Sequence, residues 1–401
     1  MPTPSPAFAD HAGSWRDWPT ASGDWGGLRT RLADAGLSIG LQVISEASQV
    51  ARNGAVPDER RSTTRTLIDA TAVFAFDKLT GWPGASIGVH GQWSDGDAAS
   101  HATGDIQGWS NISTETDLRQ VAEFWVQQTW GQRPGGAEGE PLLRLKAGKV
   151  DAGTEYDSLP AAGAFIHSSA GFSPTIYGFP TFPNPAMGVH LAVAPTSRWS
   201  ATAGYMDGSG ADGRQTGVTG IDPLFASRAN TGKFMIGQVR YAWPRSARSE
   251  AGLVQVGAWH HSGPVARLDG GEQQGTSGMF AQGQVDLWHG ADERTVTLFA
   301  QWGNADRQVS PINTHLAMGL YFAGLPWRGA DGAGLYVSDV SLTADPADGH
   351  ERGETAVEAV YTLQATAWCV LKGDLQYIFH PGGGDEPGHA AVADLRVIVT
   401  F

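Results

Sequence analysis

Along most of the chain, apolar and polar residues alternate one by one. In LSIGLQV (37–43), Leu37, Ile39, Leu41 and Val43 fall on one face, and Ser38, Gly40 and Gln42 on the other. This period of two predicts a half-buried strand. The pattern returns at 66–78, 85–93, 121–130, 142–150, 187–194, 199–206, 234–243 and 252–261. It continues at 279–288, 295–302, 315–324, 334–342, 355–365, 370–379 and 391–401. These segments number sixteen, each close to the roughly 9 to 11 residues that a strand needs to cross a bilayer. The last ends the chain with Ala391, Ala393, Leu395, Val397, Val399 and Phe401 on one apolar face. One early stretch breaks the rule. In GDWGGLRTRLADAG (23–36), Trp25, Leu28, Leu32 and Ala35 recur at helical spacing. Asp24 is placed to cap a helix there and Gly36 to end it.

The connections sharpen the picture. After the even-numbered segments they are mostly short, and after the odd-numbered ones long and polar. Short turns at one rim and long loops at the other describe an outer-membrane barrel. Trp82, Trp130, Trp199, Trp243, Trp288, Trp327 and Trp368 fall in or beside seven short connections, one to each. That distribution predicts an aromatic girdle at one membrane interface. A β-propeller would show a shared motif repeating every ~40 to 50 residues, and none is found. The predicted fold is therefore all-β, a sixteen-stranded antiparallel outer-membrane β-barrel over 37–401. Residues 1–21 form a leader or periplasmic segment ahead of a short periplasmic helix at 22–36. In that helix Trp25, Leu28 and Leu32 are expected to pack against the short-turn rim.

Composition excludes several alternatives. The chain has 401 residues and one cysteine, Cys369, so it forms no internal disulfide and no Cys-rich zinc site. Acidic residues outnumber basic ones 41 to 27, a formal charge of −14 that argues against a nucleic-acid partner. No apolar run approaches the ~18 residues of a spanning helix. The mean hydropathy of −0.23 suits a soluble protein and a membrane barrel equally. Ala7-Phe8-Ala9 has the A-x-A form that ends a secretory signal, without the apolar stretch that normally precedes it. Export is the expectation. No catalytic, metal or cofactor residue is assigned. His260-His261 lacks HExxH spacing, no G-x-S-x-G or phosphate loop occurs, and no carboxylate pair stands out.

With apolar residues facing lipid, the opposite phase lines the lumen. It offers Gln42, Glu46, Asp69, Thr71, Asp77, His90, Gln92, Arg119, Glu123, Trp125, Gln127, Arg144 and Lys146. Farther on come Gln255, Gln282, Gln284, Asp286, Gln301, Glu358, Lys372, Asp374, Gln376, Asp394 and Arg396. Charges of both signs and amides, with an aromatic face, suit a neutral hydroxyl-rich solute better than phosphate, which calls for rings of Arg and Lys. Any one of these groups could equally be pairing with its neighbours. The insert 151–186 carries Pro160, Pro174, Pro180, Pro183 and Pro185, with Phe165, Phe172, Tyr177, Phe179 and Phe182. A stiff aromatic loop of this length is expected to fold inward and narrow the channel.

Four segments carry a family resemblance: SGDWGGLRTRLADAGL (22–37), LRQVAEFWVQQ (118–128), LRLKAGKVDAGTEYDS (143–158) and FPTFPNPAMGVHL (179–191), with the terminal Phe401. They fall in order through the first half of the chain and resemble the carbohydrate-selective porins of the OprB type. The resemblance implies an outer-membrane barrel in a Gram-negative bacterium that passes monosaccharides or small oligosaccharides by diffusion. It also implies that charged residues before and on the fourth strand shape an eyelet, here Glu115, Arg119 and Glu123. KVDAGTEYDS, with Asp151, Glu155 and Asp157, is more acidic than the family pattern. The candidate eyelet is Glu115, Arg119, Glu123, Trp125, Arg144, Lys146, Glu155, Asp157, Phe172 and Tyr177. Expected partners are small neutral sugars and outer-membrane lipid, and the oligomeric state is left open. Two other readings stand beside this one. One is a secreted, soluble β-rich carbohydrate-binding protein or glycoside hydrolase; the other is a barrel with a plugged lumen.

Overall fold

A strand in lipid must pair on both edges, because no water is there to satisfy its backbone. The computed structural model meets this demand by closing the sheet on itself. It describes residues 14–52, 62–137, 139–208, 232–246, 250–290, 292, 294–343, 353–384 and 388–401. Ala7-Phe8-Ala9 lies outside the described residues. Among them are the strands β1 (Leu37–Arg52), β2 (Ser62–Ala75), β3 (Ala85–Gly96), β4 (Leu118–Gln132), β5 (Pro141–Val150) and β6 (Ala186–Val193). Next come β7 (Trp199–Asp207), β8 (Lys233–Trp243), β9 (Gly252–Ala266), β10 (Glu272–His289) and β11 (Thr295–Ala305). The remainder are β12 (Ile312–Leu325), β13 (Arg328–Leu342), β14 (Glu354–Thr366), β15 (Cys369–Phe379) and β16 (His389–Thr400). Each pairs antiparallel with its neighbours in the chain. The barrel closes where β16 returns to β1, from Gln42 opposite Thr400 to Val50 opposite Val392.

The alternation sorts the side chains as the sequence predicts. Leu316, Met318, Leu335, Leu375 and Leu395 are exposed on the outside. Glu46, Arg65, Gln255, Gln301, Glu358 and Arg396 are buried on the inside. Trp82, Trp130, Trp199, Trp288 and Trp327 stand exposed at the short-turn rim. The seam between β16 and β1 has no turn of its own, and the N-terminal segment supplies its aromatics. Trp15 packs against Trp368 with ring centroids 4.3 Å apart and the rings tilted by 46°, and Trp368 Nε1 donates to the Trp15 carbonyl (3.1 Å). Ala21 N donates to the Thr400 carbonyl (2.8 Å), which lays this segment along the last strand.

The structure differs from the sequence reading in four places. Residues 76–78, expected in a strand, begin the helix α2 (Phe76–Thr80), so Asp77 is exposed in a turn rather than lumenal. The expected connection 325–333 is a tight turn at Pro326-Trp327, with Leu325 opposite Arg328. The N-terminal helix, α1 (Leu28–Asp34), is shorter than expected because Trp25, Gly26 and Gly27 all have positive φ (53°, 65° and 83°). Asp24 still caps it, accepting from Thr30 N at 2.8 Å, and Gly36 (φ 97°) ends it. Trp25 and Leu28 are exposed instead of packing on the rim, and the buried residue of the helix is Arg29.

The fourth difference is a β-bulge. Opposite β3, the register of β4 steps from Glu123 at His90 to Val121 at Gly91, leaving Ala122 as the extra residue. Strict alternation through β4 puts Arg119 in phase with Glu123 and Trp125. The bulge reverses that phase. Arg119 therefore stands exposed opposite the exposed Trp93 on the outer face, and Gln120 points in.

The outer belt generates a stability prediction. Met318, 57 % exposed, lies midway along β12. Met318→Arg should destabilise the barrel by about 2–4 kcal/mol, the cost of a cation at the bilayer midplane. Equilibrium unfolding from liposomes in denaturant measures it.

Candidate functional site

A barrel of sixteen strands is too wide for its own side chains to fill. Two loops fold in and occupy much of it. The first is the insert 151–186, which includes the short helix α3 (Ser168–Gly171). Its apolar residues meet aromatic residues on the inner wall. Tyr156, Ile176 and Phe179 pack with Phe234, Trp259 and Phe280 of β8–β10. Leu159 and Phe165 pack with Leu253, Phe299 and Tyr336. The inner face along β8–β13 is thus partly apolar, where alternation alone predicts polar residues.

The lumenal amides pin the loop's backbone. Gln238 accepts from Asp157 N (3.2 Å) and donates to the Glu155 carbonyl (3.0 Å). Gln255 donates to the Ser158 carbonyl, Gln284 accepts from Ala161 N, and Gln301 donates to the Ala170 carbonyl, at 3.0–3.2 Å. Glu358 accepts from Ile166 N (2.6 Å) and His167 N (3.2 Å), while Lys372 Nζ reaches the Ala164 carbonyl (2.7 Å). A loop buried inside a barrel must satisfy its backbone polar groups, and this ladder of side chains does so.

The second inward loop, 97–117, was not foreseen from the sequence. Trp109 is fully buried, with the Arg65 guanidinium 4.5 Å from its ring centroid. Glu46 binds Arg65 (Nη1 to Oε2, 2.6 Å) and Arg396 (Nε to Oε1, 2.6 Å), and accepts from Ser110 Oγ at 2.7 Å. Arg396 also donates to Asn111 Oδ1 (2.7 Å), and Asn111 N donates to the Ile166 carbonyl (2.9 Å), tying one loop to the other. Arg65 lies in the phase of Asp69 and Thr71, just before the boundary drawn at Thr66. Trp109 was the available signal for the loop.

Five candidate eyelet residues converge at the root of the first loop. Glu155 takes both guanidinium nitrogens of Arg144 and the ammonium of Lys146. Burial would raise its carboxyl, but Lys146 and then Arg144 hold it down at about 2. Lys146 Nζ lies 4.8 Å from the centroid of the Trp125 ring, a cation–π contact. That ring lies flat over Gly88, where an added Cβ would come within 2.2 Å of it. Glu123 accepts from Asp151 N (3.2 Å) and faces His90 (3.6 Å), which contacts Asp69 at 2.7 Å. Of the Arg144–Lys146–Glu155 cluster, Arg144 keeps the most water-facing surface, 27 % against 5 % and 3 %.

The other candidates stand elsewhere. Asp157 is buried within the loop itself, accepting from Ser173 N (2.7 Å). Phe172 packs on Phe179 (5.3 Å), and Tyr177 joins the same cluster. Glu115 is exposed on the second loop, and Arg119 is outside the barrel.

A closed barrel with two inward loops and paired lumenal charges is porin architecture. Sequence comparison decides which kind: a profile of the carbohydrate-selective porins, OprB family, matches residues 61–401. The chain belongs to that family. It is an outer-membrane, carbohydrate-selective porin of the OprB family, a class found in Gram-negative bacteria. Porin B of Pseudomonas aeruginosa is 22% identical over 432 aligned positions, covering 94% of this chain and 90% of that protein. The high-pH structure of Pseudomonas putida OprB superposes with a TM-score of 0.82 at 18% identity, covering 97% of this chain and all of that one. The low-pH structure of the same protein gives 0.62 at 16% identity, covering 96% and 99%. A mutant Rh. blastica porin shares the fold at 0.54, with 13% identity and 91% of this chain covered. The soluble readings fall away with this assignment and with the lipid-facing belt.

The buried pairs of this OprB-family barrel have measurable consequences. Glu46→Gln removes the charge shared by Arg65 and Arg396, all three side chains being almost inaccessible. Breaking such a pair should cost about 3–5 kcal/mol, read as a lower temperature for the heat-induced gel shift. Asp157 offers a pH test. Burial raises its carboxyl to about 7, against partial relief from Ser173 N. Its folded value lies above the unfolded one of about 4. Stability is therefore fully present at low pH and is lost as pH rises through about 7. Asp157→Asn should cut this dependence, so parent and variant should diverge between about pH 4 and 7 in parallel unfolding titrations.

Proposed function

We propose that small neutral sugars diffuse passively past an eyelet formed by β3–β5 and the root of the inward loop 151–186. Glu123, Trp125, Arg144, Lys146 and Glu155 form it, with His90 and Asp69 alongside. The loop acts as the constriction, and residues 22–36 as a periplasmic leader at the seam. The observation that carries this reading is the charge balance of the cluster. Arg144 and Lys146 face Glu155, and His90 lies between Asp69 and Glu123. Arg144, His90 and Asp69, which keep water-facing surface, offer hydroxyl groups fixed donors and acceptors, while the buried side chains of Glu155, Lys146, Glu123 and Trp125 hold them in place and offset their charge, so neither sign of ion is favoured. Arg119 and Glu115 have no part in it, and Phe172, Tyr177 and Asp157 serve by bracing the loop.

Planar-bilayer recording tests the proposal. Glucose should partly block the wild-type current, and liposomes should swell faster with glucose than with a zwitterion of like size. Glu155→Gln leaves two cations without their counter-charge. It should shift the reversal potential in a salt gradient toward anions and weaken the sugar block. An unchanged reversal potential together with an unchanged block would remove this cluster from the eyelet.

A further inference from the structure

We propose that the outer face of the barrel beside its closing seam holds one phospholipid molecule, with an acyl chain in a slot along β1–β3 and the phosphate at Arg29. The slot is a cavity of about 460 Å³ on the lipid side of the wall, roofed at its periplasmic end by the N-terminal segment. Its sides are Ile39 and Leu41 of β1 and Val89 of β3, and its floor is Ala70 and Ala72 of β2. The register places Ile39 opposite Ala72, Leu41 opposite Ala70, and Ala72 opposite Val89. All five belong to the outward phase, since Asp69 and Thr71 between them point into the lumen. Two successive alanines between larger side chains leave a trough about one strand wide, and among the outer troughs lined by small residues this one runs up to the N-terminal segment.

Two observations identify the occupant. The trough is continuous with the lipid-facing belt, and Ile39 is itself exposed there. What fills it is hydrocarbon. The roof supplies the other half of an amphiphile's site. The Arg29 guanidinium lies 4.4 Å from the centroid of the exposed Trp25 ring and donates to Thr20 Oγ1 at 2.9 Å. Arg29 is buried, so its direction is set by this packing rather than by solvent. It lines the cavity beside Ser22 and the C-terminal Phe401. Asp24, whose Oδ1 accepts from Thr30 N and Thr30 Oγ1, also lies close enough to interact with Arg29. A fixed cation stacked on an interfacial Trp, at the depth of the periplasmic Trp girdle, sits where a lipid phosphate lies. Apolar trough and cationic roof together match one phospholipid, and its binding would fasten the N-terminal segment over the seam.

Native mass spectrometry of the full chain, released from detergent after incubation with phosphatidylglycerol, tests this. The wild type should keep one lipid through detergent exchange. Arg29→Gln should lower that occupancy about fivefold, the effect of one basic side chain at a headgroup. The double substitution Ala70→Leu/Ala72→Leu fills the trough, leaves Arg29 in place and suits a lipid-facing surface. It should lose the adduct while keeping the heat-modifiable gel migration of an intact barrel. Diacylglycerol, which lacks phosphate, should not be retained. Equal occupancy across the variants, no adduct on the wild type, or equal retention of diacylglycerol would each overturn the assignment.

Discussion

Everything in this molecule depends on one constraint: no backbone N–H or C=O can stay unpaired in hydrocarbon. Sixteen strands meet it only if the last returns to the first, so the pairing of β16 with β1 completes the other fifteen ladders. The seam is also the one rim position without a covalent turn. The N-terminal segment covers it with Trp15 on Trp368 and with the bond from Ala21 N to the Thr400 carbonyl. A segment that looks peripheral in the chain thus completes the rim.

Closure creates a second problem on the inside. A cylinder of this width is hollow, and a selective channel needs it narrowed. The chain does so by folding two loops against the wall, which moves the demand for satisfied polar groups from the membrane to the lumen. Gln238, Gln255, Gln284, Gln301 and Glu358 answer that demand by bonding to the loop's main chain. The apolar packing of Phe165 on Phe299 and Tyr336 fixes where the loop lies. These lumenal polar groups therefore hold the loop against the wall. Arg144, with His90 and Asp69, keeps water-facing surface because the loop's root leaves that part of the wall uncovered.

How much of the site could be read from the chain follows from range. Glu123, Trp125, Arg144 and Lys146 were legible as lumenal because each obeys its strand's alternation. Arg119 was misplaced because one extra residue, Ala122, inverts the phase, and nothing in the local composition marks a bulge. Arg65 was missed by one residue of strand boundary. The aromatic positions Phe234, Trp259, Phe280, Phe299 and Tyr336 break the polar phase on β8, β9, β10, β11 and β13. They form the bed of the inward loop, which the alternation alone did not reveal.

Period-two alternation, the seven Trp-marked turns and the capped Asp24–Gly36 segment reflect interactions between residues a few positions apart or with the solvent on each face. The order of residues along the chain therefore settles strand number, orientation of the faces, and membrane placement. Position inside the lumen does not follow from such local rules. Glu46 meets Arg396 across 350 residues, and Ile166 meets Glu358 across 192. Which of many plausible lumenal charges pair, which loop crosses, and what surface stays open are decided only when the closed barrel brings distant segments to one depth. There a buried charge is stable only beside its partner.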